Sequence, residues 1–588
     1  MFGAGVCPVF GQLDPNDPWP KFGRDERNTC YSPNVGPHAP ALRWWARLHE
    51  QAQGQTPEEI ASYHHQGAAV AYLAGGTDPG PYILVGSRGD PSGPVTQPHV
   101  AIFKSHYDPN DPNEWDPVRG AIPVGRMILG DPNDPNDAII NSTPAVLPTD
   151  RVVVQTAKTL ELWDVTDPRS PTQVGVRPIT WSPTYPSSPA WGPIRQGPDA
   201  PNRVFAHARS GGQELLYCLD PTNRDTFQGD PCWTYVFPGA PNAGSGSTPA
   251  IGPIADDPQN PDRNFVYAGT FTETPVHHLF ALFADEPGLL QNRLAWSHGI
   301  NDFRDVYVAA CRMQIGTLGS PSVHHGAGSA VSNRVLVGSD EGGVYPFFNK
   351  LRRREGRGCD PYDTECNVSS TAGLTPSGKA VLWNEHNGLY VFQDTESGLQ
   401  FATGITVPIS QRWVWGAPAL DRETATEPQR VYLNTPGNNN TGLSWRVVAY
   451  SMPDLQFVWG WLPEEGKQYP FDSPVALSDD ATLYCVNHRY IFAISPPVGE
   501  FNGDKVTNTA DIDALVAAFE DRAAWEKNHA KVYGINLLGV GDANGDHKFN
   551  GKDIVPLTDK MATNRVGDEN AWRYFCERRD YLRTKYGE

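Results

Sequence analysis

Oxygen-bearing side chains recur at fixed intervals near the carboxyl end of this chain. Between residues 542 and 553 they fill positions 1, 3, 5, 9 and 12 of a twelve-residue frame: Asp542, Asn544, Asp546, Asn550 and Asp553. Position 7 is Lys548, which would offer its backbone carbonyl. Calcium takes about six to eight hard oxygen ligands, and a loop of this spacing supplies them. The chemistry expected is therefore cation binding. The frame recurs between 500 and 511, with Glu500, Asn502, Asp504, Asn508 and Asp511 in the side-chain places and Val506 at the carbonyl place. Two Ca2+ sites are predicted. The second fits the pattern better, because Glu500 is longer than the aspartate usual at position 1. Position 6, normally glycine, is Lys505 in one frame and His547 in the other.

The residues after each frame are duplicated too. Ile512, Leu515, Val516 and Phe519 lie at helical spacing, and Ile554, Leu557 and Met561 repeat the stripe. A single Asp-rich turn before a helix is explained by N-capping. Two such turns in register, each leading into the same apolar stripe, call for more than capping. A closing helix is predicted from Glu569 to Tyr586, with Trp572, Phe575 and Leu582 partly on one side.

This duplicated loop and helix resembles a dockerin domain of type I, whose calcium loops are of EF-hand type and which docks onto cohesins. The resemblance implies that loop positions 10 and 11 help choose the partner. Here they are Thr509-Ala510 and Gly551-Lys552. The partner implied is a cohesin-like or cell-surface protein.

Upstream, the chain is built of short β-rich runs punctuated by Gly and Pro, 57 and 55 of them in 588 residues. Such runs read as antiparallel sheet. Turns of Ser-Thr-Pro type, such as Ser142-Thr143-Pro144 and Ser247-Thr248-Pro249, open a repeated unit of tens of residues. That period signals a propeller. Eight openers are found, and the eighth unit lacks a fourth strand. A run at Leu42 to Leu48 has no unit of its own, so it is expected to close the ring beside the last unit.

The stretch from Trp19 to Pro33, WPKFGRDERNTCYSP, resembles the segment before the first blade in the quinoprotein-like (pyrroloquinoline-quinone-like, PQQ-like) superfamily, with Cys30 in place of its glycine. The fold expected is all-β: an eight-bladed propeller of four-stranded antiparallel blades with a small α-helical dockerin-like domain at the C-terminus. Its divisions are an N-terminal lead-in at 1–40, the PQQ-like propeller at 41–497 and the dockerin-like domain at 498–588.

The net charge of −20 disfavours nucleic acid and anionic membrane. No run of about 18 apolar residues is present to span a bilayer. A signal peptide is not evident in this chain, yet the composition suits an extracytoplasmic protein. Among nine cysteines, Cys218 with Cys232 and Cys359 with Cys366 could form bridges. Asp-Pro-Asn-Asp-Pro strings at 14–18, 108–112 and 131–135 read as loops.

Quinoprotein dehydrogenases use a quinone, a catalytic Asp and often a Cys-Cys disulfide. No Cys-Cys pair is present, so no quinone cofactor is expected and no catalytic residue is assigned. Whether the chain is an enzyme stays open, with the balance against. The leading expectation is a non-enzymatic extracytoplasmic binding or scaffold module, attached to partners through a calcium-dependent tail. The alternative is a secreted quinoprotein-like oxidoreductase or carbohydrate-active enzyme recruited by that tail.

Overall fold

A computed structural model describes residues 19, 21, 23–24, 30–48, 67–87, 97–130, 142–179, 187–197, 199–238, 248–254, 262–269, 279–285, 294–298, 322–324, 334–338, 343–348, 362–363, 371–383, 388–395, 398–407, 417–423, 429–435, 446–469, 471 and 473–587. Strands form from runs of β-branched and aromatic residues between turns. In the middle of each repeat, apolar residues are consecutive rather than alternate. Tyr82–Ser87 and Asn264–Gly269 are buried at every position. A strand covered on both faces must lie between neighbouring sheets. Sheets set radially around an axis provide that cover. The first strands of successive sheets touch, Ala69–Ala71 lying beside both Ala145–Leu147 and Ala476–Leu477, so the series returns to its start.

The expectation of eight four-stranded blades is corrected. Seven sheets are four-stranded and antiparallel; the sheet that closes the ring has six strands. Its extra pair, Trp115–Asp116 and Gly120–Ala121, comes from an excursion between the third and fourth strands of the first sheet. That hairpin adds itself outside Ala41–Arg47 through the pair Ala46 and Gly120. Gly120 is required there: its φ is +78°, and a Cβ would meet the Trp45 carbonyl oxygen at 2.1 Å. The Asp-Pro-Asn-Asp-Pro string at 108–112 makes the preceding turn, where Asp108 Oδ1 accepts the Asn110 amide at 2.8 Å and Asp111 Oδ1 the Asn113 amide at 2.8 Å.

Ala41–Arg47 pairs antiparallel with Tyr490–Ser495, the third strand of the closing sheet. A bulge gives this strand its place in the pattern. In four of the four-stranded sheets the fourth strand carries one extra residue opposite the third: Val174, Ala295, Ala402 and Val458. Arg43 is the extra residue of Ala41–Arg47. The strand from the front of the chain thus has the local geometry of a fourth strand. Trp44 anchors it: buried, stacked on Phe103 at 5.5 Å, and donating Nε1 to the Ser105 carbonyl at 2.9 Å.

The lead-in segment crosses the inner strands, Trp19 bridging Val70 and Tyr31 bridging Leu420. Cys30, where the resembled pattern has glycine, sits at φ +52°. Cys218 and Cys232 are thiols, not a disulfide. Cys359 and Cys366 lie outside the described residues.

The segment after Pro497 forms its own core. Ile512–Glu520 and Ile554–Thr563 bury Ile512, Leu515, Val516, Ile554, Leu557 and Met561, and the closing helix Glu569–Lys585 adds Phe575 and Leu582. The connection between the halves is helical in pieces. Its Trp525 is buried and donates Nε1 to the Phe501 carbonyl at 3.1 Å. Among the described residues, no helix is long and apolar enough to cross a membrane.

Candidate functional site

The two twelve-residue loops are built on one hydrogen-bond plan. At position 12, Asp511 Oδ1 accepts the amides of Phe501 at 2.8 Å and Asn502 at 3.2 Å, and Oδ2 accepts that of Asn508 at 2.9 Å. Asp553 does the same for Ala543, Asn544 and Asn550 at 2.9, 3.2 and 2.9 Å. At position 9, Asn508 and Asn550 accept the amides of Ala510 and Lys552 at 2.7 and 2.9 Å, capping the helical turns that come next. Positions 3 and 5 repeat as well: Asn502 and Asn544 accept from Asp504 and Asp546, and these in turn from Val506 and Lys548. At position 1, Glu500 and Asp542 each accept the amide three residues on.

Position 6 shows what the missing glycine costs. Lys505 has φ +72° and His547 φ +58°, a region that L side chains enter at about 1–2 kcal/mol.

The donor set at these places is all oxygen, which fits calcium. A carboxylate offers about four lone-pair sites, so three amide bonds leave Asp511 and Asp553 able to accept more. Burial pushes Asp511 up to about 7, with Glu500 adding like charge. Burial pushes Asp542 up to about 6, with Asp553 adding to it. Asp553 is raised also, first by burial. A bound cation would relieve this crowding of anions. Among the described residues, no group of three or more His, Cys, Asp or Glu side chains is gathered as a metal site. The loops would therefore draw on their Asn and backbone oxygens, and their carboxylates would have to turn inward.

Each loop is covered on one side, where the domain is seated on the propeller. Glu500 is fully buried against His38 of the lead-in segment. Asp542 Oδ2 lies 3.6 Å from His106 Nε2, a histidine that burial pushes down to about 3. His547 Nε2 lies 2.6 Å from the Tyr72 hydroxyl and 3.2 Å from Asp479 Oδ2. Beside them Asn536 donates to the Asp479 carbonyl at 2.8 Å and Arg430 to the Tyr533 carbonyl at 2.7 Å. Asp480 pairs with Arg43, the bulge residue. Tyr72 and Asp479–Asp480 sit in turns between first and second strands, so the seat is opposite the turns between second and third strands.

Of the residues expected to meet a partner, Ala510 and Lys552 are exposed and Gly551 is half-buried. Thr509 is buried, and its Oγ1 accepts the Val566 amide at 3.0 Å. Val506 and Lys548, the position-7 residues, are exposed, as is Asp504. The seat itself was not legible: His38, Tyr72, His106 and Asp479 are scattered along the sequence, and only the acidic pair Asp479-Asp480 in a turn hints at it.

No family model and no curated protein matches this sequence. Several solved structures are similar in shape. A europium-containing methanol dehydrogenase aligns over 80% of this chain and 89% of its own, at 10% identity and TM-score 0.47. BamB from Moraxella catarrhalis aligns over 72% and 92%, at 11% identity and TM-score 0.41. Sqt1 from Chaetomium thermophilum, bound to the N-terminus of ribosomal protein L10, aligns over 70% and 92%, at 13% identity and TM-score 0.41.

Proposed function

We propose that the chain is a non-enzymatic, extracytoplasmic binding module of the quinoprotein-like kind, whose C-terminal domain is held in shape by calcium in its two loops and clamped to one propeller face. The observation that carries this reading is the shared hydrogen-bond plan of the loops, with its buried carboxylates at positions 1 and 12. Calcium would neutralise carboxylates that burial disfavours as anions, and so add to the stability of domain and seat together. With the domain covering the face of the first-to-second turns, the opposite face is left for a ligand. Ala510 and Lys552 remain exposed for an attachment partner, cohesin-like or on a cell surface.

Calcium titration of the full chain by calorimetry, with thermal unfolding in calcium and in chelator, tests it. Each filled site should stabilise by about 2.7 kcal/mol at a hundred times its Kd. Asp542→Ala should remove one site and leave the other. An absence of both binding heat and thermal shift in the full chain would defeat the proposal.

A further inference from the structure

The hairpin that makes the closing sheet six-stranded also walls a cleft of about 140 Å³ between that sheet and the first four-stranded one. The cleft lies toward the propeller face opposite the C-terminal domain, near the end of Tyr82–Ser87 and the start of His99–Lys104. Among the described residues, three guanidinium side chains line it, those of Arg47, Arg119 and Arg126, with one carboxylate, Asp116. This is a concentration of positive charge in a chain of net charge −20.

Two of the cations lie on strands, and Arg119 lies in the hairpin's turn. Arg47 ends the closing strand, and its amide donates to the Arg119 carbonyl at 2.8 Å. Arg126 lies on Gly125–Ile128, paired to Ala101. Asp116 is occupied in shaping the hairpin, its Oδ1 accepting the amides of Val118 at 2.7 Å and Arg119 at 3.0 Å. His99 is pushed down to about 4, first by burial and further by Arg126, so it adds no charge at neutral pH. Among the described residues, the Arg126 side chain has no hydrogen-bond or ion-pair partner, although the residue is half-buried. A half-buried guanidinium with no protein acceptor is open to one, and its planar fork matches carboxylate and phosphate oxygens.

We propose that this cleft is a binding site for a compact oxyanion, a carboxylate or phosphate group carried on a small ligand. The volume is that of about four to five waters, enough for the anionic group while the rest of the ligand projects outward. Phe103, which is buried, forms part of the cleft's apolar lining.

The test uses the full chain with inorganic phosphate and acetate as probes, at constant ionic strength set with chloride, read by calorimetry and thermal shift. At least one probe should bind saturably, and Arg126→Gln should weaken it by about tenfold or more. Phosphate alone binding identifies a phosphate ligand; acetate alone identifies a carboxylate. Without either anion, Arg126→Gln should unfold no lower than the parent, since no protein partner is lost. No saturable binding of either probe, binding unchanged in Arg126→Gln, or a large loss of stability in that variant without anion would each overturn the proposal.

Discussion

His547 Nε2 approaches Asp479 Oδ2 at 3.2 Å, joining the sixth position of the second loop to a turn of the closing sheet. The Tyr72 hydroxyl donates to the same carboxylate oxygen at 2.8 Å and lies 2.6 Å from the imidazole, so three side chains from three parts of the chain meet. A glycine at position 6 would spare the loop its left-handed strain and offer nothing to the propeller. The histidine accepts that strain and forms the seat.

Lys505 and His547 should therefore respond oppositely to glycine. Lys505 is exposed at φ +72°, and Lys505→Gly should raise stability by up to about 1 kcal/mol through backbone relief. His547→Gly gains the same relief but leaves Asp479 and Tyr72 short of a partner, so the net should be a loss of about 1 kcal/mol or more. Calorimetric unfolding of both variants checks this. Equal gains in the two would mean that the contacts of His547 contribute nothing.

Ring closure should be most sensitive at Trp44. Its side chain touches Phe103 of the first sheet, Tyr107 just beyond that strand and Tyr484 of the last sheet, at ring separations of 5.5, 5.4 and 5.8 Å. Trp44→Ala removes this three-way packing and leaves the Ser105 carbonyl without its donor, a loss of about 3–5 kcal/mol. Denaturant unfolding should show it. A loss below about 1 kcal/mol, within the range of ordinary surface changes, would mean that the closing strand is not a structural latch.

The loops and stripes of the C-terminal domain were legible because their information is local: oxygen side chains at fixed offsets, then apolar residues at helical spacing. Strands such as Arg151–Gln155 were legible for the same reason. The six-stranded sheet was not. Trp115–Asp116 and Gly120–Ala121 are two residues each, too short for any periodicity, and Gly120 pairs with Ala46 across a gap of more than seventy residues. Nor did the sequence show the bulge at Arg43, since an extra residue in a strand has no composition of its own. His207 lies fully buried within Asn202–Ser210, 3.6 Å from Glu214. Alternation cannot reveal this where both faces of a strand are covered.

Asp421 should make the stability of this protein depend on acidity in an unusual direction. It is fully buried, with Oδ2 accepting the Tyr432 hydroxyl at 3.0 Å and the Gly36 amide at 3.3 Å, and Arg430 Nη1 lies 3.6 Å away. Burial outweighs Arg430 and raises it from 3.8 to about 6. The folded state therefore takes up this proton at a higher pH than the unfolded chain, and between pH 6 and 3.8 protonation favours folding. Carboxylates of depressed pKa act the other way and mask this in the parent alone. They titrate equally in Asp421→Asn, so the difference between parent and variant isolates Asp421. From about pH 7.5 to about pH 4.5 that difference should move by about 2 kcal/mol in favour of the parent. Unfolding of both proteins at the two pH values measures it. A difference that stays flat, or moves toward the variant, would show that Arg430 keeps the carboxylate ionised through the whole range.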